Sequence, residues 1–172
     1  MKKINLTAFY VGIWGRLFLQ LKEKGYLKKD NSPQTKFRFH KDGSRAKLSL
    51  VEKDILDVYA TMRDKLKNVP QWKIDDYAEL NNEYIRNLVN DKQQVVNVIL
   101  ACAMYRSYLD DYGTVYERNL MIRRLDNIIN SYDDRETVKY SARCGDNLYR
   151  QFVGKPQLSD EVRDARAKRF LR

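Results

Sequence analysis

The stretch VVNVILACAMYRSYL, Val95 to Leu109, is apolar on nearly every side when wound as a helix. A helix without a polar face has no place at the surface, so this one belongs at the centre with others packed around it. Asp91 and Gln94 precede it as a capping pair, and Gly113 follows it as a stop. The rest of the chain reads outward from this segment.

Before it, SLVEKDILDVYATMRDKL begins with Ser49 and Glu52 at capping-box spacing. In that arrangement the hydroxyl accepts the third helical N–H and the carboxylate reaches back to the cap N–H. Val51, Ile55, Val58, Tyr59, Met62 and Leu66 follow at the 3.6-residue period of one buried face. Pro70 interrupts the pattern. A second helix is expected from about Asp75 to Val89, burying Tyr77, Leu80, Tyr84, Ile85 and Leu88. Beyond the central segment, Thr114 and Glu117 repeat the box ahead of Met121, Ile122, Leu125, Ile128 and Ile129. Asp133 and Glu136 open a further helix through Phe152, with Ala142 and Gly145 as small residues on its face. The chain breaks at GKPQ, and Ser159 caps a short charged helix, DEVRDARAKRFLR. At the front, Phe9 to Lys24 reads as a helix ending at Gly25, with Tyr10, Trp14 and Phe18 directed to the core.

One segment departs from helical spacing. In TKFRFHKDGSRAK, Thr35 to Lys47, Phe37 and Phe39 stand two apart, so a strand puts them on one face. Asp42-Gly43 is a hairpin turn signal, and RAKLSL supplies the return strand. A lone two-stranded hairpin is marginal in water. The phenylalanines are therefore expected to pack on the helices, with Lys36, Arg38 and His40 facing out.

The chain has 172 residues, three prolines and seven glycines, which suits one domain built of long helices. The fold class expected is mainly α: a compact antiparallel bundle of about five or six helices with a short basic hairpin or arm near residues 35–48 and a charged C-terminal helix or tail. Residues 1–153 form the domain, including a basic arm at 26–48, and residues 154–172 the tail. Cys102 and Cys144 stand far apart and form no C-x-x-C pair, so they read as reduced, buried thiols of a cytoplasmic protein. Ile4 to Gly15 is uncharged and briefly imitates a signal peptide. Arg16 ends the run, no small-x-small cleavage site follows, and the run is too short to span a bilayer. No membrane contact is expected.

Net charge is +10, unevenly spread. Residues 1–24 carry five basic and one acidic side chain, 25–48 seven and two, 49–136 twelve and sixteen, and 137–172 nine and four. A mildly acidic middle thus lies between two basic ends, a pattern that suggests a polyanionic partner. Catalytic groups are scarce. His40 is the only histidine, so a histidine-based zinc site or a Cys-His nucleophile has no basis. No phosphate-cradling glycine loop and no G-x-S-x-G occurs. Of the pairs Asp75/Asp76, Asp110/Asp111 and Asp133/Asp134, two sit at expected helix starts, where the dipole favours them. Asp110/Asp111 sits at a helix end and is the anomaly. No catalytic residue, metal ligand or cofactor is assigned.

Of the twelve tyrosines, Tyr59, Tyr77 and Tyr84 fit core faces, while Tyr26, Tyr112, Tyr140 and Tyr149 are candidates for exposure. The expected function is non-enzymatic nucleic-acid binding, DNA or RNA, mainly through the phosphate backbone. Lys36, Arg38, His40, Lys41, Arg45 and Lys47 serve from the arm. Arg163, Arg166, Lys168, Arg169 and Arg172 serve from the tail. Tyr26, Phe37 and Phe39 are the stacking candidates. The alternative is a helical interaction or assembly protein, such as an inhibitor of a host protein or a component of a viral particle, whose basic ends dock on acidic protein surfaces.

Overall fold

The computed structural model describes residues 5–88, 95–155 and 165, and the side chains of all these except 83–88. Among them, six helices and one hairpin follow in the order α1 (Leu6–Glu23), β1 (Phe37–Phe39), β2 (Arg45–Lys47), α2 (Leu50–Lys65), α3 (Gln71–Leu88), α4 (Asn97–Tyr112), α5 (Val115–Asn130) and α6 (Arg135–Val153). The helices pack together as a bundle with the small antiparallel hairpin at its side. No helix of the described residues is long and apolar enough to cross a membrane.

The centre is α4. Every residue from Val98 to Leu109 is buried apart from Arg106, which is partly so. It packs most extensively on α6 and also against α1 and α5, while α2 pairs with α5 and α1 with α2 and α3. The small face of α6 makes the tightest of these approaches. A side chain at Gly145 would come within 2.4 Å of the Leu100 carbonyl oxygen and 2.9 Å of Ala103 Cβ. At the start of α4, Val96 N–H donates to Ser141 Oγ of α6 at 2.9 Å. The capping pair expected at Asp91 and Gln94 lies outside the described residues, as do the side chains of Tyr84, Ile85 and Leu88 and the five basic tail positions from Arg163 to Arg172.

The helix starts follow cap chemistry. Ser49 and Glu52 make the full capping box. Thr114 makes only half of one: its hydroxyl accepts the Glu117 N–H at 3.1 Å, while the Glu117 carboxylate instead takes the Tyr105 hydroxyl of α4 at 2.8 Å. The cap of α6 is Asp134 rather than Asp133, accepting from both Thr137 N–H and Thr137 Oγ1. Helix α1 starts at Leu6, ahead of the expected Phe9, because the Asn5 side chain caps it through Ala8 N–H. Its buried stripe is Phe9, Ile13, Leu17 and Leu21, and Tyr10, Trp14 and Phe18 lie half-buried beside it.

Helix α3 corrects the sequence reading most. It starts at Gln71 rather than Asp75, directly after Pro70, whose carbonyl accepts from Lys73 and Ile74. Leu80 is exposed, Tyr77 is half-buried, and among the described side chains of α3 the buried one is Asn81. Its Nδ2 donates to the Ala8 and Tyr77 carbonyls, which lets a polar side chain take an inward position. Both cysteines are buried thiols, and burial pushes Cys102 up.

Replacing Gly145 with Ala tests the α4–α6 contact. Overpacking against helix backbone is expected to cost about 1–3 kcal/mol, read as a lower urea midpoint with unchanged slope.

Candidate nucleic-acid interface

The basic arm is fastened to the bundle along its length. After α1, Tyr26 N–H donates to the Leu21 carbonyl at 3.0 Å and the chain reverses through Gly25. Gly25 has φ +82°, and a Cβ there would fall 1.6 Å from the Phe39 oxygen. Only glycine allows β1 to lie this close, with Phe39 N–H donating to the Gly25 carbonyl at 3.0 Å. Residues 28–32 form a tight turn, closed by Lys28 N–H to the Ser32 carbonyl at 2.8 Å. Tyr59 of α2 donates to the Asn31 carbonyl at 2.7 Å, and Arg63 donates to that of Asp30 at 3.1 Å. Leu27 and Leu48, at either end of the excursion, are buried in the core.

The hairpin pairs Phe37 with Lys47, Arg38 with Ala46 and Phe39 with Arg45. Its loop is closed by His40 N–H to the Ser44 carbonyl at 2.8 Å, and the Asp42 carboxylate accepts from Ser44 N–H and Oγ. The period-two alternation is as the sequence implies, but the faces are reversed. Arg38 and Ala46 form the inner pair and are half-buried, as is Phe37 on the other face. Phe37 and Phe39 lie outside the core cluster, and Phe39 is 43% exposed. The physical reason is what the hairpin lands on. The Arg38 guanidinium sits 5.4 Å from the centre of the Tyr26 ring. Tyr26 in turn donates its hydroxyl to the Glu52 carboxylate. An aromatic face beside a carboxylate receives a guanidinium better than it receives a phenyl ring.

Electrostatics agree with this arrangement. Burial and the Glu52 hydrogen bond push the Tyr26 phenol up to about 12. Burial disfavours the Glu52 carboxylate, yet hydrogen bonds from Tyr26 and Ser49 outweigh that and hold it below the usual range. Arg38 and Tyr26 therefore belong to the hairpin's foundation, with Arg38 covering one face of the Tyr26 ring.

On the outer side, Arg45 lies 4.6 Å from the centre of the Phe37 ring. The register places Phe37, Phe39, Arg45 and Lys47 on one face. Lys36, His40, Lys41, Arg45 and Lys47 are all exposed. The structure thus brings together five of the six arm positions singled out from sequence and two of the three aromatic ones. Lys53, Arg63 and Arg123, which the sequence reading did not single out, are also exposed. Three shallow grooves along α2 meet at shared residues: Leu50, Lys53 and Arg123 line the first, Lys53 and Pro33 the second, and Pro33, Arg63 and Lys67 the third. Aspartates temper this surface, since Arg124 pairs with Asp57 at 3.2 Å and Lys67 with Asp64 at 3.3 Å. The exposed lysines and arginines of α2 and α5 carried no motif by which to find them.

The anomalous aspartates have structural partners. Asp110 pairs with Arg106, and Asp111 accepts from Tyr149 at 2.6 Å and Lys155 at 2.8 Å. Tyr149, expected to be exposed, is fully buried, whereas Tyr112 and Tyr140 are half-buried. Asp75 and Asp76 are exposed in α3. Among the described residues, no three His, Cys, Asp or Glu side chains come together as metal ligands. The chain matches no protein-family model, no curated protein and no solved structure.

Two substitutions test the seat of the hairpin. Gly25→Ala is expected to cost at least about 1 kcal/mol, because it adds a side chain at positive φ against backbone. Amide exchange of 37–47 would accelerate. Tyr26 has a raised phenol, so its stabilisation is complete below the ordinary tyrosine value near 10 and is lost as pH rises through about 12. In an alkaline absorbance titration, Tyr26→Phe is expected to remove one phenolate step near 12.

Proposed function

We propose that the protein is a non-enzymatic nucleic-acid-binding accessory protein that holds the phosphate backbone through its hairpin and basic C-terminal tail. Single-stranded segments are its preferred targets. The observation that carries this reading is the outer hairpin face, where Phe37 and Phe39 stand beside Arg45 and Lys47. Aromatic rings interleaved with cations suit a flexible strand. Bases stack on the rings while phosphates meet the charges, without regard to sequence. Lys36, His40 and Lys41 add exposed positive or titratable groups at the hairpin end and loop. Fastening the hairpin to Gly25, Tyr26 and Glu52 also limits the ordering cost of binding.

A second reading, a helical assembly protein that docks on an acidic protein surface, draws support from one groove. There the exposed Leu50 and Leu120 lie with Lys53 and Arg123. Apolar contact ringed by positive charge suits an acidic protein partner.

Binding to labelled single- and double-stranded DNA and RNA across a salt series separates the two. The variant Lys41→Ala/Arg45→Ala/Lys47→Ala is expected to reduce the slope of log K against log salt by about 2, at roughly 0.7 for each lost single-strand phosphate contact. Phe39→Ala is expected to weaken single-strand binding by about 1–3 kcal/mol and leave duplex binding nearly unchanged. Absence of binding at low salt would overturn the nucleic-acid reading.

A further inference from the structure

Helix α3 carries a face that the bundle leaves in water. At about 100° per residue, Asp75, Glu79, Trp72, Asp76 and Leu80 follow one another around it, with Trp72 in the middle. All five are exposed, Trp72 by 66%. Asp75 accepts from the Gln71 amide at 2.9 Å. Among the described residues, none of the three carboxylates forms an ion pair. The helix starts at Gln71, so Asp75 and Asp76 lie in its second turn. The dipole favours acids mainly in the first turn and does not account for them. Nor does it account for a tryptophan in water, the residue type most typical of interface hot spots.

A surface of opposite character lies on α2 and α5. A groove of about 530 Å³ there is lined by the exposed Leu50 and Leu120, with Lys53 and Arg123 among them. Its one carboxylate, Asp54, already faces Arg124 at 3.9 Å. Lys53 and Arg123 form no ion pair among the described residues. Tyr116, 76% exposed, precedes Leu120 by one turn of α5. The two surfaces are held apart within one copy. Leu50 and Lys53 stand in the first turn of α2, whereas Trp72 stands in the first turn of α3, beyond the other end of α2. The length of that helix, about 24 Å at 1.5 Å per residue, separates them. Helix α3 packs instead on α1 and α6.

We propose that the protein associates with itself head to tail, the α3 face of one copy docking in the α2–α5 groove of the next. Trp72 enters between Leu50 and Leu120, and the carboxylates around it meet Lys53 and Arg123. An aromatic anchor ringed by acids fits apolar contact ringed by cations, which gives the pair both burial and charge complementarity. The contact is heterologous, since each copy presents two different surfaces. It therefore leaves one face and one groove open at the ends and propagates as a ring or a chain. The pairing takes the groove of the second reading and names its acidic partner as the chain itself. It needs no nucleic acid and no hairpin.

Sedimentation of the nuclease-treated full chain tests this without any substitution. At about 0.15 M salt, charges more than about 8 Å apart are largely screened, so the net charge of +10 does not mask a local contact. Reversible association is expected with Kd below about 100 μM. Trp72→Ala and Lys53→Glu/Arg123→Glu change only exposed side chains. Each alone is expected to weaken association at least about tenfold. An equimolar mixture of the two is expected to restore the parent affinity and stop at the dimer. The mixed pair keeps one intact tryptophan face and one intact groove, and its two outer ends are the damaged ones. The hairpin variant Lys41→Ala/Arg45→Ala/Lys47→Ala is expected to associate as the parent does. A monomer at every concentration up to about 500 μM would overturn the proposal. So would undiminished association of either groove or tryptophan variant, or a mixture that stays monomeric. Labelled polyglutamate separates this outcome from that of the second reading. A monomeric protein that binds polyglutamate through Lys53 and Arg123 rejects the pairing of copies and leaves docking on a different acidic protein standing.

Discussion

Burial of α4 on all sides is the constraint from which the rest of the structure follows. A helix satisfies its own backbone, so it can sit in a dry centre, but its polar side chains must be met by neighbours. Four consecutive residues make that demand: Tyr105, Arg106, Ser107 and Tyr108. Tyr105 donates to Glu117 of α5, and Arg106 reaches Asp126 of α5 at 3.1 Å as well as Asp110. Ser107 donates to Asp146 of α6 at 2.9 Å, and the Tyr108 ring packs edge-on against Tyr10 of α1. These partners set how α1, α5 and α6 sit around the centre. Gly145 then lets α6 approach closely enough to close the core.

The hairpin solves a different problem. It cannot be stable alone, yet it keeps an aromatic and cationic face in water. The solution is backbone contact at Gly25 and a charged anchor at its inner face, where Arg38, Tyr26 and Glu52 lie together. Glu52 links the two tasks. Its carboxylate closes the capping box of α2 through Ser49 and holds Tyr26 under the hairpin. The start of α2 and the seat of the arm therefore depend on one side chain. A surface carried this way is already organised, which for the proposed binding lowers the entropy lost on association.

Much of this was legible in the sequence, because local rules are strong where they act over a few residues. Ser49 with Glu52 fixed the start of α2, and the apolar period marked its inner face. The continuous apolar run marked α4, and Asp42-Gly43 marked the hairpin turn. The small residues of α6 pointed to a close packing face. Misreadings arose where a side chain had a distant partner to choose. Glu117 abandons its half of a capping box for Tyr105. Leu80 yields the inward position to Asn81, because the Ala8 carbonyl of α1 is there to receive an amide. No spacing rule sees such a partner.

The hairpin shows where the division falls. Sequence by itself determined that Phe37 and Phe39 share a face and that Arg38 opposes it, since strand geometry alternates side chains regardless of surroundings. Which face turns inward was decided only by the tertiary structure, through the Tyr26 ring and the Glu52 carboxylate waiting beneath. The same holds for Asn81, whose inward position depends on the Ala8 carbonyl of α1, far away in the chain. Alternation and capping are properties of neighbouring residues, whereas sidedness and cavities depend on where separate elements meet.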